Sequence, residues 1–427
     1  MAMSAWLAPV AARPVHAEVR LPGSKSMMAR ALVLAALAGG RSTITSPLRS
    51  RDSDLMLGGL AAMGTHIDSR SDRTWTVDPA RLAGPARIDV GLSGTVMRFV
   101  PPVAALADGP VAFDGDPRAR ERPLGPLVRG LRAIGAHIDA ANTADGGGLP
   151  LTVHGDGHVT GGEVRIDASA SSQFVSGLML AGARFDRGVV IRHVGPPVPS
   201  APHLRMSVAM VRAAGGAVDD GTPDVWSVEP GKLAGCTWDI EPDLSSAAPF
   251  LAAALVTGGA VTVPQWPLDT TQPGDRLRDL LTRMGGTTTL TEAGLTVRGA
   301  GTIHGIDADL GEVSELTMVI AALAALADSP SRLVGIGHVR GHETDRLAAL
   351  ARELGNLGAR VTTLPDGLEI VPRPLHGTVF ETYDDHRMAH AAAVIGLAVP
   401  GVELSDVACT SKTMPDFPAL WTDMVTG

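Results

Sequence analysis

Residues 24–44 read SKSMMARALVLAALAGGRSTI. Small polar and charged residues come first, then an Ala/Leu/Val run of helical length, a Gly-Gly break, and a β-branched strand. The same order recurs five times: LSGTVMRFVPPVAALADGPVAF (92–113), SASSQFVSGLMLAGARFDRGVVI (169–191), DLSSAAPFLAAALVTGGAVTV (243–263), VSELTMVIAALAALADSPSRL (313–333) and DDHRMAHAAAVIGLAVPGVEL (384–404). A second marker interleaves with the first. Five amphipathic segments end at a hydrophobic residue and a glycine: Gly64, Gly135, Gly215, Gly285 and Gly358. Glycine suits the position just past a helix, where φ turns positive. Two markers in phase define one α/β unit present six times, which splits into two domains of three. The runs ALVLAALA and AAPFLAAAL are apolar on nearly every side, so these helices belong inside a layer covered by other elements.

Composition limits what such a protein can do. The chain has 427 residues, a net charge of −9 and 3% aromatics. That argues against nucleic acid or an anionic membrane as partner. Two cysteines in this length are no disulfide framework, and they point to a reducing compartment. The N-terminal stretch lacks a basic region, and the longest apolar runs fall short of the roughly 20 residues that span a bilayer. The expectation is a cytoplasmic protein.

In an acidic protein, basic residues at helix starts need a reason, because the helix N-terminus already carries partial positive charge. Lys25, Arg30, Arg98 and Arg387 lie within a turn or two of such starts. Arg118, Arg120 and Arg122 cluster in DGDPRARERP, Arg340, His342 and Arg346 in RGHETDRL, and Lys412 stands in TSKTMPD. An anionic small molecule would reconcile them. A nucleotide loop is excluded: a phosphate-binding loop of that kind has Gly where this chain has Ser24 and Val19. Glu315, Glu343, Asp345, Asp384 and Asp385 accompany the cations, and a carboxylate among cations stays ionised and can act as a base. His338 and His342 have no evident third ligand, so no metal is expected. Ser24, Ser26, Ser171, Ser172 and Ser245 read as helix caps.

The segments LPGSKSMMAR, GLSGTVMRF, DGDPRARERPLGPL, SASSQF, EPDLSSAAPFLAA, RGHETDRL, YDDHRMA and TSKTMPDF together resemble, in order, the signatures of the 3-phosphoshikimate 1-carboxyvinyltransferase family of enolpyruvyl transferases. The resemblance runs over nearly the whole chain. It implies a two-domain inside-out α/β barrel, each domain three copies of a βαβαββ-like unit, with the active site in the interdomain cleft. The implied domains are 1–23 with 241–427, and 24–240. It implies enolpyruvyl transfer from phosphoenolpyruvate to the 5-hydroxyl of shikimate 3-phosphate with release of phosphate, in a monomer that uses no cofactor. Such an enzyme is a target of glyphosate, and Gly94 leaves room for that inhibitor.

By the same resemblance, Lys25, Ser26, Arg30, Ser171, Ser172, Gln173, Ser200, Glu315 and His342 hold shikimate 3-phosphate. Lys25, Gly94, Arg122, Gln173, Arg346, Arg387 and Lys412 line the phosphoenolpyruvate site. Glu315 takes the proton of the attacking hydroxyl, and Glu343 and Lys25 transfer protons at C3. The chain departs from the common family pattern at Ala29, where Asn is usual, at Leu92, Ser93 and Phe99, at Glu315 in place of Asp, and at His203, His338 and His342. The sister family acting on UDP-N-acetylglucosamine carries a cysteine in the loop that here reads DGDPRARERP, which has none.

Overall fold

The computed structural model describes residues 5–427. The chain divides into two compact units, one spanning Gly23–Ile240, the other joining the residues up to Pro22 to Glu241–Gly427.

In the Gly23–Ile240 unit the plainest copy of the repeat has strands Ala86–Asp89, Asp108–Asp114, His137–Ala141 and Gly148–Asp156, ordered first, second, fourth, third across the sheet. The first pair is parallel and the other two pairs are antiparallel. A parallel pair needs a crossover, and helix Gly94–Ala104 supplies it. Strands Gly162–Ile166, Val189–His193, Val218–Asp219 and Val225–Val228 repeat the pattern around helix Gln173–Gly182. The remaining copy contains helix Lys25–Leu37 and strands Ser42–Thr45, His66–Asp68 and Thr74–Asp78. Its first strand comes from the far end of the unit: Thr237–Asp239 pairs in parallel with Ser42–Thr45 and closes the ring of repeats.

The longer strands bury one face. In Thr74–Asp78, Trp75 and Val77 are buried and the alternate residues are not. The inner helices have no outer face. Met28 through Leu37 are all buried, as are Gly94–Ala104 and Phe174–Gly182. These three helices pack on one another in pairs. Gly177 marks the closest approach, since a Cβ there would lie 2.4 Å from the Arg98 carbonyl oxygen.

The other unit uses the same plan. Strand His16–Glu18 pairs in parallel with Ala260–Pro264, although the whole Gly23–Ile240 unit intervenes in sequence. The next copy has strands Asp307–Asp309, Ser331–Val334, Arg360–Leu364 and Gly367–Val371. The last sheet departs from the expected four strands. It holds Val379–Phe380, Glu403–Leu404 and the N-terminal strand Trp6–Leu7, which pairs antiparallel with Glu403–Leu404. Helices Ala248–Thr257, Thr317–Ala325 and His386–Gly396 form the inner layer. The five marker glycines all have φ between 85° and 114°, as a residue just past a helix requires.

Candidate active site: two cationic clusters at inner helix starts

In the Gly23–Ile240 unit, Ser24 caps the Lys25 helix, its Oγ accepting from the Met27 N–H at 3.5 Å. Lys25 Nζ lies 3.4 Å from Asp52 Oδ2, and Asp52 is buried in the first turn of helix Arg51–Ala62. Arg30 turns inward. Its Nε donates to Ser207 Oγ at 2.8 Å, NH1 to the Ser26 carbonyl at 2.8 Å, and NH2 to the His203 carbonyl at 3.0 Å and Ser176 Oγ at 3.4 Å. The guanidinium also lies over the Phe99 ring, 5.2 Å from its centre. These partners are all neutral, and burial pulls the Arg30 pKa down to about 9. No carboxylate is among these four partners.

Gly94 is surrounded by cations. Ser93 caps its helix, accepting from the Val96 N–H at 3.4 Å. A Cβ at Gly94 would lie 2.9 Å from both Arg122 NH2 and Arg98 NH1, and 3.2 Å from Gln173 Oε1. Arg122 NH1 is anchored on the Leu92 carbonyl at 2.9 Å. Ser171 Oγ accepts from the Gln173 N–H at 3.3 Å. Ser172 and Ser200 occupy the cap positions of helices Gln173–Gly182 and Ala201–Ala213 without a side-chain cap bond, and Ser200 is held at φ 54°. Left-handed backbone at a non-glycine residue costs energy, and such costs concentrate at functional sites.

In the other unit, Glu343 joins two cations: Oε1 accepts from Lys412 Nζ at 2.5 Å and Oε2 from Arg346 NH2 at 3.0 Å. Asp385 receives Arg346 through both oxygens at 2.8 and 3.1 Å, and caps the Arg387 N–H at 2.9 Å. Arg346 NH1 donates to His342 Nδ1 at 2.9 Å. Burial opposes the charge on Arg346, but Asp385 and Glu343 outweigh it and raise its pKa. For Arg387 burial prevails over Asp243 and lowers it; its NH1 donates to the Ser245 carbonyl at 2.8 Å. Glu315 sits in the turn Ser314–Leu316 that leads into helix Thr317–Ala325. His338 Nε2 meets Ser314 Oγ at 3.0 Å, and burial lowers the His338 pKa against the pull of the Glu315 charge.

Several sequence expectations change. Arg118 pairs with Glu121 and Arg120 with Asp114 in exposed ion pairs, so only Arg122 of that cluster is buried. Arg340 pairs with Asp345 at 3.3 Å instead of joining Arg346. Ser26 and Ser245 are not caps: they offer main-chain carbonyls to Arg30 and Arg387. Four of the five Arg30 N–H groups are taken up internally. Sequence reasoning also missed residues. Asp52, 27 positions from Lys25, gave no local signal. Tyr383 is another: it has φ 55°, as does its neighbour Asp384, and its hydroxyl donates to buried Glu353 at 2.5 Å, tying this strained turn to the helix that Arg346 begins.

A model of the family described as EPSP synthase (3-phosphoshikimate 1-carboxyvinyltransferase) matches residues 10–421. The chain belongs to the EPSP synthase family. Membership places it among transferases that carry a carboxyvinyl group to 3-phosphoshikimate, in the biosynthesis of aromatic amino acids. Two solved EPSP synthase structures from Acinetobacter baumannii share its fold at 23% identity. One aligns over 98% of this chain and 97% of its own with a TM-score of 0.79. The other aligns over 98% of each with a TM-score of 0.78. No helix among the described residues is long and apolar enough to cross a membrane. The described residues hold no group of three His, Cys, Asp or Glu placed to bind a metal ion.

Proposed function

We propose that the chain transfers the enolpyruvyl group of phosphoenolpyruvate to the 5-hydroxyl of shikimate 3-phosphate through a tetrahedral adduct, and that both cationic clusters serve this one reaction. The observation that carries the reading is the set of buried cations in an acidic chain: Arg30, Arg98 and Arg387 in the first turn or two of inner helices, Arg122 beside Gly94, and Arg346 and Lys412 on Glu343. Two small polyanions are the ligands such a set would accept.

Lys25, Ser26, Arg30, Ser171, Ser172, Gln173, Ser200, Glu315 and His342 are assigned to shikimate 3-phosphate. Lys25, Gly94, Arg122, Gln173, Arg346, Arg387 and Lys412 are assigned to phosphoenolpyruvate. Glu343 and Lys25 deliver a proton to C3, which leaves C2 electron-poor. Glu315 removes the proton of the 5-hydroxyl as its oxygen bonds to C2. Glu343 and Lys25 then take back a C3 proton as the C2–O bond to phosphate breaks, which restores the double bond and releases phosphate. The guanidinium groups stabilise the charge on the phosphate and carboxylate throughout. The reaction as written needs no metal or organic cofactor. We place the protein in the cytoplasm as a monomer, a location consistent with its two free thiols, Cys236 and Cys409.

Phosphate release from the two substrates tests the activity. A folded sample with no turnover would overturn it in favour of a non-catalytic anion-binding relative. Glu315→Gln should lower kcat by about 100-fold or more; unchanged turnover would remove Glu315 as the base.

A further inference from the structure

Arg98 is a buried guanidinium to which no substrate contact is assigned above. We propose that Arg98 is a positioning residue that sets the amide orientation of Gln173, so that Nε2 with its two N–H groups, and not Oε1, faces the bound anions. The inference rests on the reading that Gln173 binds the substrates.

A glutamine amide has an acceptor end and a donor end of nearly the same shape, and turning it over exchanges them. Phosphate and carboxylate oxygens only accept. One orientation therefore offers them hydrogen bonds, and the other presents a repelling lone pair. Left to itself, the half-buried Gln173 side chain could adopt either.

Arginine removes the choice because it has donors and no acceptor. Arg98 NH1 lies 2.9 Å from Gln173 Oε1, a contact that only the oxygen end can satisfy. Arg98 is itself locked. NH2 donates to the Pro123 carbonyl at 3.0 Å, NH1 also lies 3.5 Å from the Gly94 carbonyl, and the guanidinium sits 5.5 Å from the centre of the Phe174 ring. Its side chain is only 2% exposed. The anchors come from its own helix start, the segment just after Arg122, and the Gln173 helix. Gly94 completes the arrangement: any side chain there would begin 2.9 Å from Arg98 NH1 and disturb its reach to Gln173.

The test is a double-mutant cycle in the full chain, read as KM for each substrate and kcat, with thermal melts to confirm folding. Gln173→Ala and Arg98→Met should each raise KM by about 10- to 100-fold, the range for one hydrogen bond to a charged group, with a smaller change in kcat. The double variant should be no worse than the poorer single variant within about threefold, because both changes remove one function. Arg98→Lys, which still only donates, should recover much of the loss. If Arg98→Met does not fold, Arg98→Gln replaces it, since glutamine offers an acceptor as well and frees the amide. KM effects that multiply in the double variant would overturn the inference and leave the Gln173 reading standing. An unchanged KM in Gln173→Ala would overturn that reading and the inference with it.

Discussion

Lys412 Nζ lies 2.5 Å from one oxygen of Glu343, and Arg346 NH2 lies 3.0 Å from the other. All three side chains are buried. The carboxylate proposed to move a proton is thus the internal counter-ion of two cations proposed to hold phosphoenolpyruvate. Glu343→Gln separates these roles. It removes a competitor for Arg346 and Lys412, so KM for phosphoenolpyruvate should hold or fall. It also removes a proton-transfer group, so kcat should drop about 100-fold or more. Steady-state phosphate release at varied phosphoenolpyruvate reads both, and an unchanged kcat would exclude Glu343 from the chemistry.

Gly94 makes a second prediction. The unaltered enzyme should be inhibited by glyphosate in competition with phosphoenolpyruvate. In Gly94→Ala the new Cβ must displace Arg98, Arg122 or Gln173, because its ideal position is 2.9 to 3.2 Å from each. A shift of about 1–3 kcal/mol, typical for overpacking, corresponds to roughly 5- to 150-fold weaker inhibition. KM for phosphoenolpyruvate should rise with it. Equal inhibition constants in the two proteins would place glyphosate away from Gly94.

His390 sets a pH dependence of stability. It is fully buried, neither ring nitrogen has a hydrogen-bond partner among the described residues, and its ring lies 4.6 Å from Phe417. His386 stands edge-on at 5.9 Å. Burial first, and the Arg387 charge second, push the His390 pKa well below 6.5. In the unfolded chain the ring protonates near 6.5. The sign follows: this contribution is complete above pH ~6.5 and is lost as pH falls below it, by about 1 kcal/mol per pH unit. His390→Leu fills a similar space without the titration. Thermal midpoints at pH 7.5, 6.5 and 5.5 should fall less steeply for the variant than for the parent. Parallel curves would show that His390 does not titrate on unfolding.

The repeat was legible because it is written in local chemistry. Apolar runs such as Ala248–Leu255 announce an inner helix on every side, and glycines such as Gly64 and Gly358 mark where a helix must stop. The cationic composition of the candidate site was legible too, since Lys25, Arg122, Arg346 and Lys412 stand in short, distinctive segments. The direction each cation faces was not. Arg118 and Arg122 are four residues apart in one segment; one forms an exposed ion pair and the other is buried beside Gly94.

By itself the sequence determined the repeated α/β unit, the anionic character of the ligands and the family signatures. All of these depend on side-chain type and spacing along the chain. Only the tertiary structure decided that Thr237–Asp239 completes the first sheet and Trp6–Leu7 the last. Only there do Asp52 meet Lys25, Glu343 bridge Lys412 and Arg346, and Arg98 hold Gln173. The physical reason is common to these contacts. Hydrogen bonds and ion pairs act over about 3 to 4 Å, and apart from Glu343 with Arg346, three residues apart, each pair is brought within that range by packing elements far apart in the chain.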